Sequence, residues 1–156
     1  MDEPHPARVV ADADVLAADL LCGGSARDAL DLVRAHSWVT LAASDPLLAD
    51  THAVITHLAD TDLAEAWHER IDDLRIRVEH PSSDHPALAS AAAGEAAHVL
   101  SFDDSLRRAK TGVHIREHVA TSVKHPHGFT RLFDPESLYS TVVGGEYPGP
   151  DCDPRE

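Results

Sequence analysis

The order of apolar and polar positions divides the chain into short apolar runs alternating with longer stretches of helical spacing. "RVVAD" is an apolar run closed by Asp12, as expected of a buried parallel strand, and "VLAADLL" continues at helical spacing. Gly23 and Gly24 break that helix, and Ser25 offers a cap for the next, where "ARDALDLVRAH" sets Ala29, Leu30 and Val33 on one side. "SWVTLAA" reads as a second strand. Ser44 caps a third helix through "DPLLADTHAVITHL", with Pro46 tolerated in its first turn and Leu47, Leu48, Val54, Ile55 and Leu58 as the buried stripe. In "DTDLAEAWHERIDDLRIR" the steps Leu63, Trp67, Ile71 and Leu74 predict a fourth helix, and "RIRVEH" finishes as a short extended piece. "HPSSDHP" is a loop, "ALASAAAGEAA" an alanine-rich helix able to lie close on a sheet, "HVLS" a strand and "FDDSLRRAK" the start of another helix. Beyond Gly112 the pattern thins. There "GFTRLF" is expected as a last strand and "DPESLY" as a terminal helical turn, while the tail "GGEYPGPDCDPRE" has little to bury and is expected to be disordered.

Strands alternating with helices favour an α/β domain with a mainly parallel sheet, and 156 residues suit one domain better than two. In such sheets ligands bind beyond the carboxyl ends of strands, at the point where the strand order reverses. Asp12 and Asp103 each follow a predicted strand, "RVVA" and "HVLS", so neighbouring strands would aim both at one crevice.

Composition sharpens this in two places. The chain has 27 acidic residues against 13 Lys plus Arg, a net charge of −14, and only two lysines, Lys110 and Lys124. That balance opposes nonspecific attraction to nucleic acid and resembles the surfaces of halophile proteins, whose charge repulsion molar salt screens. The basic residues are nevertheless unevenly spread. Arg107, Arg108, Lys110, Arg116, Lys124 and Arg131 crowd a segment whose only acid between Ser105 and Phe133 is Glu117, the one stretch suited to a polyanion, with a solvated face as the alternative. No run reaches the roughly 18 apolar residues of a membrane span, and the opening "MDEPHPARVV" is acidic where a signal peptide is basic, so a cytoplasmic protein without membrane contact is expected. Cys22 and Cys152 form neither a C-x-x-C pair nor a disulfide framework.

Four acids stand out: Asp12, Asp50, Asp84 and Asp103. Each has an ordinary role open to it: Asp12, Asp84 and Asp103 (or Asp104) as helix caps, Asp50 as a solvated helix residue. Taken together they resemble a family. "VVADADVLAADLLCGGSARDALDLV" looks like the opening of PIN-domain nucleases, a strand ending in Asp, then a small residue, usually Asn, and a helix. "ASDPLLAD" is similar to the next PIN block, Ser-Pro-x-Leu-Leu-x-Glu, with Asp50 at the Glu position. "DHPALASAAAGEAAHVLSFDDSL" is similar to the third, an Asp-x-Pro start to a helix followed by a strand ending Thr-x-Asp, with Asp84 and Asp103 at its acidic positions. The likeness covers roughly residues 8 to 108 and extends loosely to "FTRLFDPESLY". Three positions depart from the pattern: Asp14 for Asn, Asp50 for Glu and Ser101 for Thr.

The resemblance implies a three-layer α/β/α sandwich over residues 6–140, followed by the tail 141–156. It also implies a metal-dependent endoribonuclease in which Asp12, Asp84 and Asp103 are the principal ligands of Mg²⁺ or Mn²⁺ and Asp50 completes the site. Asp14, Ser101 and Asp104 would surround these ligands. Clustered carboxylates raise one another's pKa unless cations neutralise them, and all-oxygen donors suit these ions. RNA is the implied substrate, with Arg107, Arg108 and Lys110, and beyond them Arg116, Lys124 and Arg131, facing its phosphates. An antitoxin-like protein or a second copy of the chain is the implied protein partner.

Rival readings are a catalytically silent PIN-like module that binds RNA or a partner, and a haloacid-dehalogenase-type phosphatase. The phosphatase needs a Thr after its second Asp and a Lys ahead of the later acidic pair; here Val15 and Leu16 follow Asp14, and no lysine precedes Lys110. In "HIREHVATSVKHPH", His114 and His118 lie one helical turn apart, with His125 and His127 following, a spacing that can bind Zn²⁺ but that lacks a nearby cysteine or matching acid.

Overall fold

The computed structural model describes residues 4–81, 85–109 (backbone alone for 107–109) and 121–154. Strand β1 (His5–Ala11) leads into helices α1 (Ala13–Leu21) and α2 (Gly24–Arg34); β2 (Thr40–Ser44) is followed by α3 (Asp45–Leu58) and α4 (Thr61–Leu74). Then come β3 (Ile76–Val78), α5 (Pro86–Gly94), β4 (Ala96–Leu100), α6 (Asp104–Ala109), β5 (Ser122–Lys124), α7 (Pro126–Leu132) and α8 (Pro135–Val142). Among the described residues the strands form one sheet in the order β3-β2-β1-β4-β5, every neighbouring pair parallel. Helices flank the sheet, making a three-layer α/β/α sandwich. No helix among the described residues is long and apolar enough to cross a membrane.

The central strands owe their place to continuous apolar runs: Val9, Val10 and Ala11 of β1 and Val99 and Leu100 of β4 are buried, as strands covered on both faces require. Helix α5 reaches the sheet because its inner face is small. Ala87, Ser90 and Ala91 are buried, and a Cβ added at Gly94 would stand 3.1 Å from both Ala42 Cβ and Val78 Cγ1. Ser44 caps α3 as its position predicts, its Oγ accepting from Leu47 N at 3.2 Å.

Several expectations change. Ser25 does not cap α2, which begins at Gly24 after Gly23 with no side-chain cap, and Leu58, at the end of α3, is exposed rather than part of its buried stripe. "GFTRLF" is not a strand: its residues lie on and just beyond α7, and the last strand among the described residues is β5, which ends directly before the His125-Pro126 pair. Pro126 favours a first helical turn, the His125 ring accepts from His127 N at 3.0 Å, and Phe129 and Phe133, four apart, place their rings 5.2 Å apart toward the core. The tail 141–156 was expected to be disordered, yet its described part holds fixed contacts. Val142 ends α8, the Tyr147 hydroxyl lies 2.7 Å from His36 Nε2, and Asp151 accepts from both Ser37 N and Ser37 Oγ. Asp151 N and Cys152 N donate to Ala35 O at 3.0 and 3.1 Å, satisfying a carbonyl that the end of α2 leaves open.

His98, on β4, packs edge-on against Phe129 with ring centroids 5.6 Å apart, and its buried Nδ1 has no hydrogen-bond partner among the described residues. Burial, and then the charge of Lys124, lower its pKa to about 4. Because the folded value is depressed, this contribution to stability is full above about 6.5 and is lost as pH falls toward 4, a difference on the order of 2–3 kcal/mol. His98→Gln should therefore flatten the acid limb of stability against pH in urea titrations. Identical acid limbs for variant and wild type would contradict this.

Candidate functional site

The parallel register of β1 and β4 sets Ala11 opposite Leu100, so the residues that follow, Asp12 and Ser101, emerge side by side at the carboxyl edge of the sheet. After β1 the chain builds β2 and β3 to one side and then returns for β4 and β5 on the other, so this edge is the place where strand order reverses. Asp12 N donates to Leu100 O at 2.8 Å, fixing the first residue beyond the strand. The Asp12 carboxylate then caps α1, accepting from Ala13 N at 2.8 Å, and takes a second hydrogen bond from Ser101 Oγ at 3.0 Å. Ser101 is buried, and its Oγ also accepts from Asp103 N at 3.0 Å, so one hydroxyl joins the two acids.

Asp14 sits in the first turn of α1, where the helix dipole favours an anion, and its Oδ2 accepts from Phe102 N at 3.1 Å. Its Oδ1 is buried with no hydrogen-bond partner among the described residues. Burial first, then the charges of Asp12 and Asp103, raise its pKa to about 6, against the pull of the Phe102 and Val15 amides. Asp103 is exposed and turned onto α6, with Oδ1 accepting from Ser105 Oγ at 2.6 Å, Ser105 N at 2.8 Å and Leu106 N at 3.4 Å. The Ser105 hydroxyl, the Ser105 amide and, more weakly, the charge of His85 lower its pKa.

Of the residues singled out in the sequence, Asp12, Asp14, Ser101 and Asp103 are thus brought together. Asp104 is exposed in the first turn of α6. Asp50 stands exposed on α3, and no hydrogen bond or ion pair among the described residues joins it to the other acids. Asp84 lies outside the described residues, as do Lys110, Arg116, His114 and His118; of Arg107 and Arg108 only the backbone, on α6, is described. Lys124 turns back on its own strand, its Nζ donating to Ser122 Oγ at 2.6 Å, and burial lowers its pKa. Arg131 is exposed on α7, and His125 caps that helix.

Two histidines beside the crevice carried no signal in the sequence beyond their loop setting. His85 caps α5, and its charge reaches Asp103, which brings the start of that helix to the acidic edge. His80 Nε2 lies 2.8 Å from Ser44 Oγ, at the carboxyl end of β2 next to the Asp12 strand.

Carboxylate and hydroxyl oxygens are hard donors that fit Mg²⁺ or Mn²⁺. Asp14 Oδ1, buried and without a partner among the described residues, and the concentration of Asp103 hydrogen bonds on Oδ1 leave oxygens for an ion. Among the described residues no three His, Cys, Asp or Glu side chains are already arranged to hold one, since Asp12 and Asp103 each face a helix cap.

The raised Asp14 pKa has a measurable consequence. The stabilising contribution of its protonated form is full below about 3.8 and is lost as pH rises through about 6, on the order of 1–2 kcal/mol once solvent screening of this partly exposed group is included. Asp14→Asn keeps an acceptor for Phe102 N and should raise stability above pH ~6 by up to that amount. Urea titrations at neutral pH with unchanged or lower stability would refute this.

A family model described as a family of unknown function, DUF7384, matches residues 3–155. Searches of curated proteins and of solved structures returned no match.

Proposed function

Since the chain belongs to this DUF7384 family of unknown function, its chemistry is read from the site, and we propose that it is a metal-dependent endoribonuclease of PIN-like design. The observation that carries the reading is the meeting of Asp12, Asp14 and Asp103 around Ser101, at the carboxyl ends of the two strands between which the sheet order reverses. Asp12 and Asp103 would hold Mg²⁺ or Mn²⁺, with Asp84 and Asp50 completing the set. Such an ion lowers the pKa of a bound water and neutralises charge on a scissile phosphate. Ser101 orients the Asp12 carboxylate and the Asp103 backbone, and Asp14 brings negative charge from below. Arg107, Arg108 and Lys110 lie four to seven residues beyond Asp103 in the chain and would grip phosphates of a single-stranded or structured RNA. The cytoplasm is the compartment this reading fits, and an antitoxin-like protein or a second copy of the chain is the partner it suggests.

A second reading, a catalytically silent module of the same fold, draws on the isolation of Asp50 and on the use of Asp12 and Asp103 as helix caps. The experiment that separates them is incubation of purified protein with single-stranded RNA, over a range of salt, in Mn²⁺, Mg²⁺ or chelator. Cleavage that needs the divalent ion is expected. RNA bound but left intact in every ion would favour the silent module.

A further inference from the structure

On another part of the molecule, α3 and α4 pack against each other and leave a groove of about 480 Å³ lined by Ala49, His52, Glu65, His68 and Glu69. Two imidazoles, one from each helix, face each other across it. Their ring centroids are 6.3 Å apart and their planes 76° to one another. Both rings are half-buried, while Glu65 and Glu69 are exposed. His52 Nδ1 lies 3.5 Å from Thr56 Oγ1, one turn along α3, which leaves Nε2 as the nitrogen for a ligand. Glu65 and His68 are three apart on α4, the Glu-x-x-His spacing that puts a carboxylate and an imidazole on one helix face.

We propose that His52 and His68, joined by Glu65, form a site for Zn²⁺ that clips α3 to α4. The rings are already within reach. Zinc–nitrogen bonds of about 2 Å place two ligating imidazoles with centroids roughly 5–6 Å apart, so a small rotation closes the pair. Glu65 has to swing in as the third ligand, since no three such side chains among the described residues are already gathered, and its exposure leaves it free to do so. Water completes the tetrahedron. Nitrogen donors select zinc over magnesium or manganese, the reverse of the all-oxygen crevice. The sites are also separate: none of Asp12, Asp14, Ser101 and Asp103 lines the groove. The inference therefore stands apart from the nuclease reading.

The test uses the full chain carrying Asp12→Asn and Asp103→Asn, which removes the acidic crevice as a competing site. Calorimetric titration with Zn²⁺ should give one ion per chain at micromolar affinity, and Zn²⁺ should raise the melting temperature. Adding His52→Gln with His68→Gln should weaken binding by more than the roughly 10–100-fold that an outer ligand partner is worth, while His57→Gln, outside the groove, leaves it unchanged. Glu65→Gln, which removes a direct ligand, should likewise weaken binding by more than about tenfold, and equal affinity in that variant would remove Glu65 from the site. A spectrum of the Co²⁺-loaded parent with the intense visible bands of tetrahedral ligation is expected, and it needs no histidine variant to fold. Absence of Zn²⁺ binding tighter than millimolar, or equal affinity with both histidines replaced, would overturn the proposal.

Discussion

Asp12→Asn and Asp103→Asn, made singly, are each expected to lower RNA cleavage by about 10³-fold, equivalent to ~4 kcal/mol in the barrier, with the fold retained. The loss is large because each substitution removes a full negative charge where the site would bind its cation. The fold survives for a local reason. Asn caps a helix about as well as Asp, so the Ala13 N and Ser105 N hydrogen bonds keep an acceptor. Removing either charge also relieves the repulsion that raises the Asp14 pKa, to which both acids contribute. The signature is thus lost activity with equal or higher stability, measured as initial cleavage rates beside urea midpoints. A variant that keeps more than a tenth of wild-type activity would remove that residue from the metal set.

Phe129→Ala is expected to give the largest loss of stability, about 3–5 kcal/mol, against a total of roughly 8–20 kcal/mol for a chain of this length. Phe129 is 2% exposed, and its ring lies against both His98 and Phe133. It is also the residue through which α7 is anchored in the core cluster, and α7 packs on α2. Truncation would leave a cavity that the short helix cannot collapse into. The urea midpoint should fall with little change in slope, and a shift worth less than about 1 kcal/mol would show that α7 is not held by this ring.

The same helix marks where sequence reading gives out. "GFTRLF" contains β-branched and aromatic residues and lies within a thinning pattern, so a strand is the reasonable expectation; the capping pair His125-Pro126, just before it, is the signal that decides for helix. The tail misleads for a different reason. Composition measures what a segment can bury by itself, whereas Tyr147 and Asp151 are fastened by the open end of α2, about a hundred residues earlier in the chain. The crevice was legible to a greater degree, because an Asp directly after an apolar run has a fixed place at the carboxyl edge of a parallel sheet. What spacing could not reveal is how the carboxylates are spent. Asp12 and Asp103 each serve a helix cap, and the crevice carboxylate oxygen that is buried without a partner among the described residues belongs to Asp14, expected only around the ligands. Asp50 was singled out by resemblance alone, and its exposed place on α3 depends on helix phase at a position with no apolar requirement.

The most direct test of the central claim is calorimetric titration of Mn²⁺ into wild-type protein and into the double variant Asp12→Asn with Asp103→Asn. Weak affinity of manganese for imidazole relative to zinc keeps the α3–α4 histidines out of this measurement. Saturable binding to the wild type, with heat and affinity lost in a variant that remains folded, is the predicted result. Equal Mn²⁺ affinity in the two proteins would contradict a metal site built on Asp12 and Asp103.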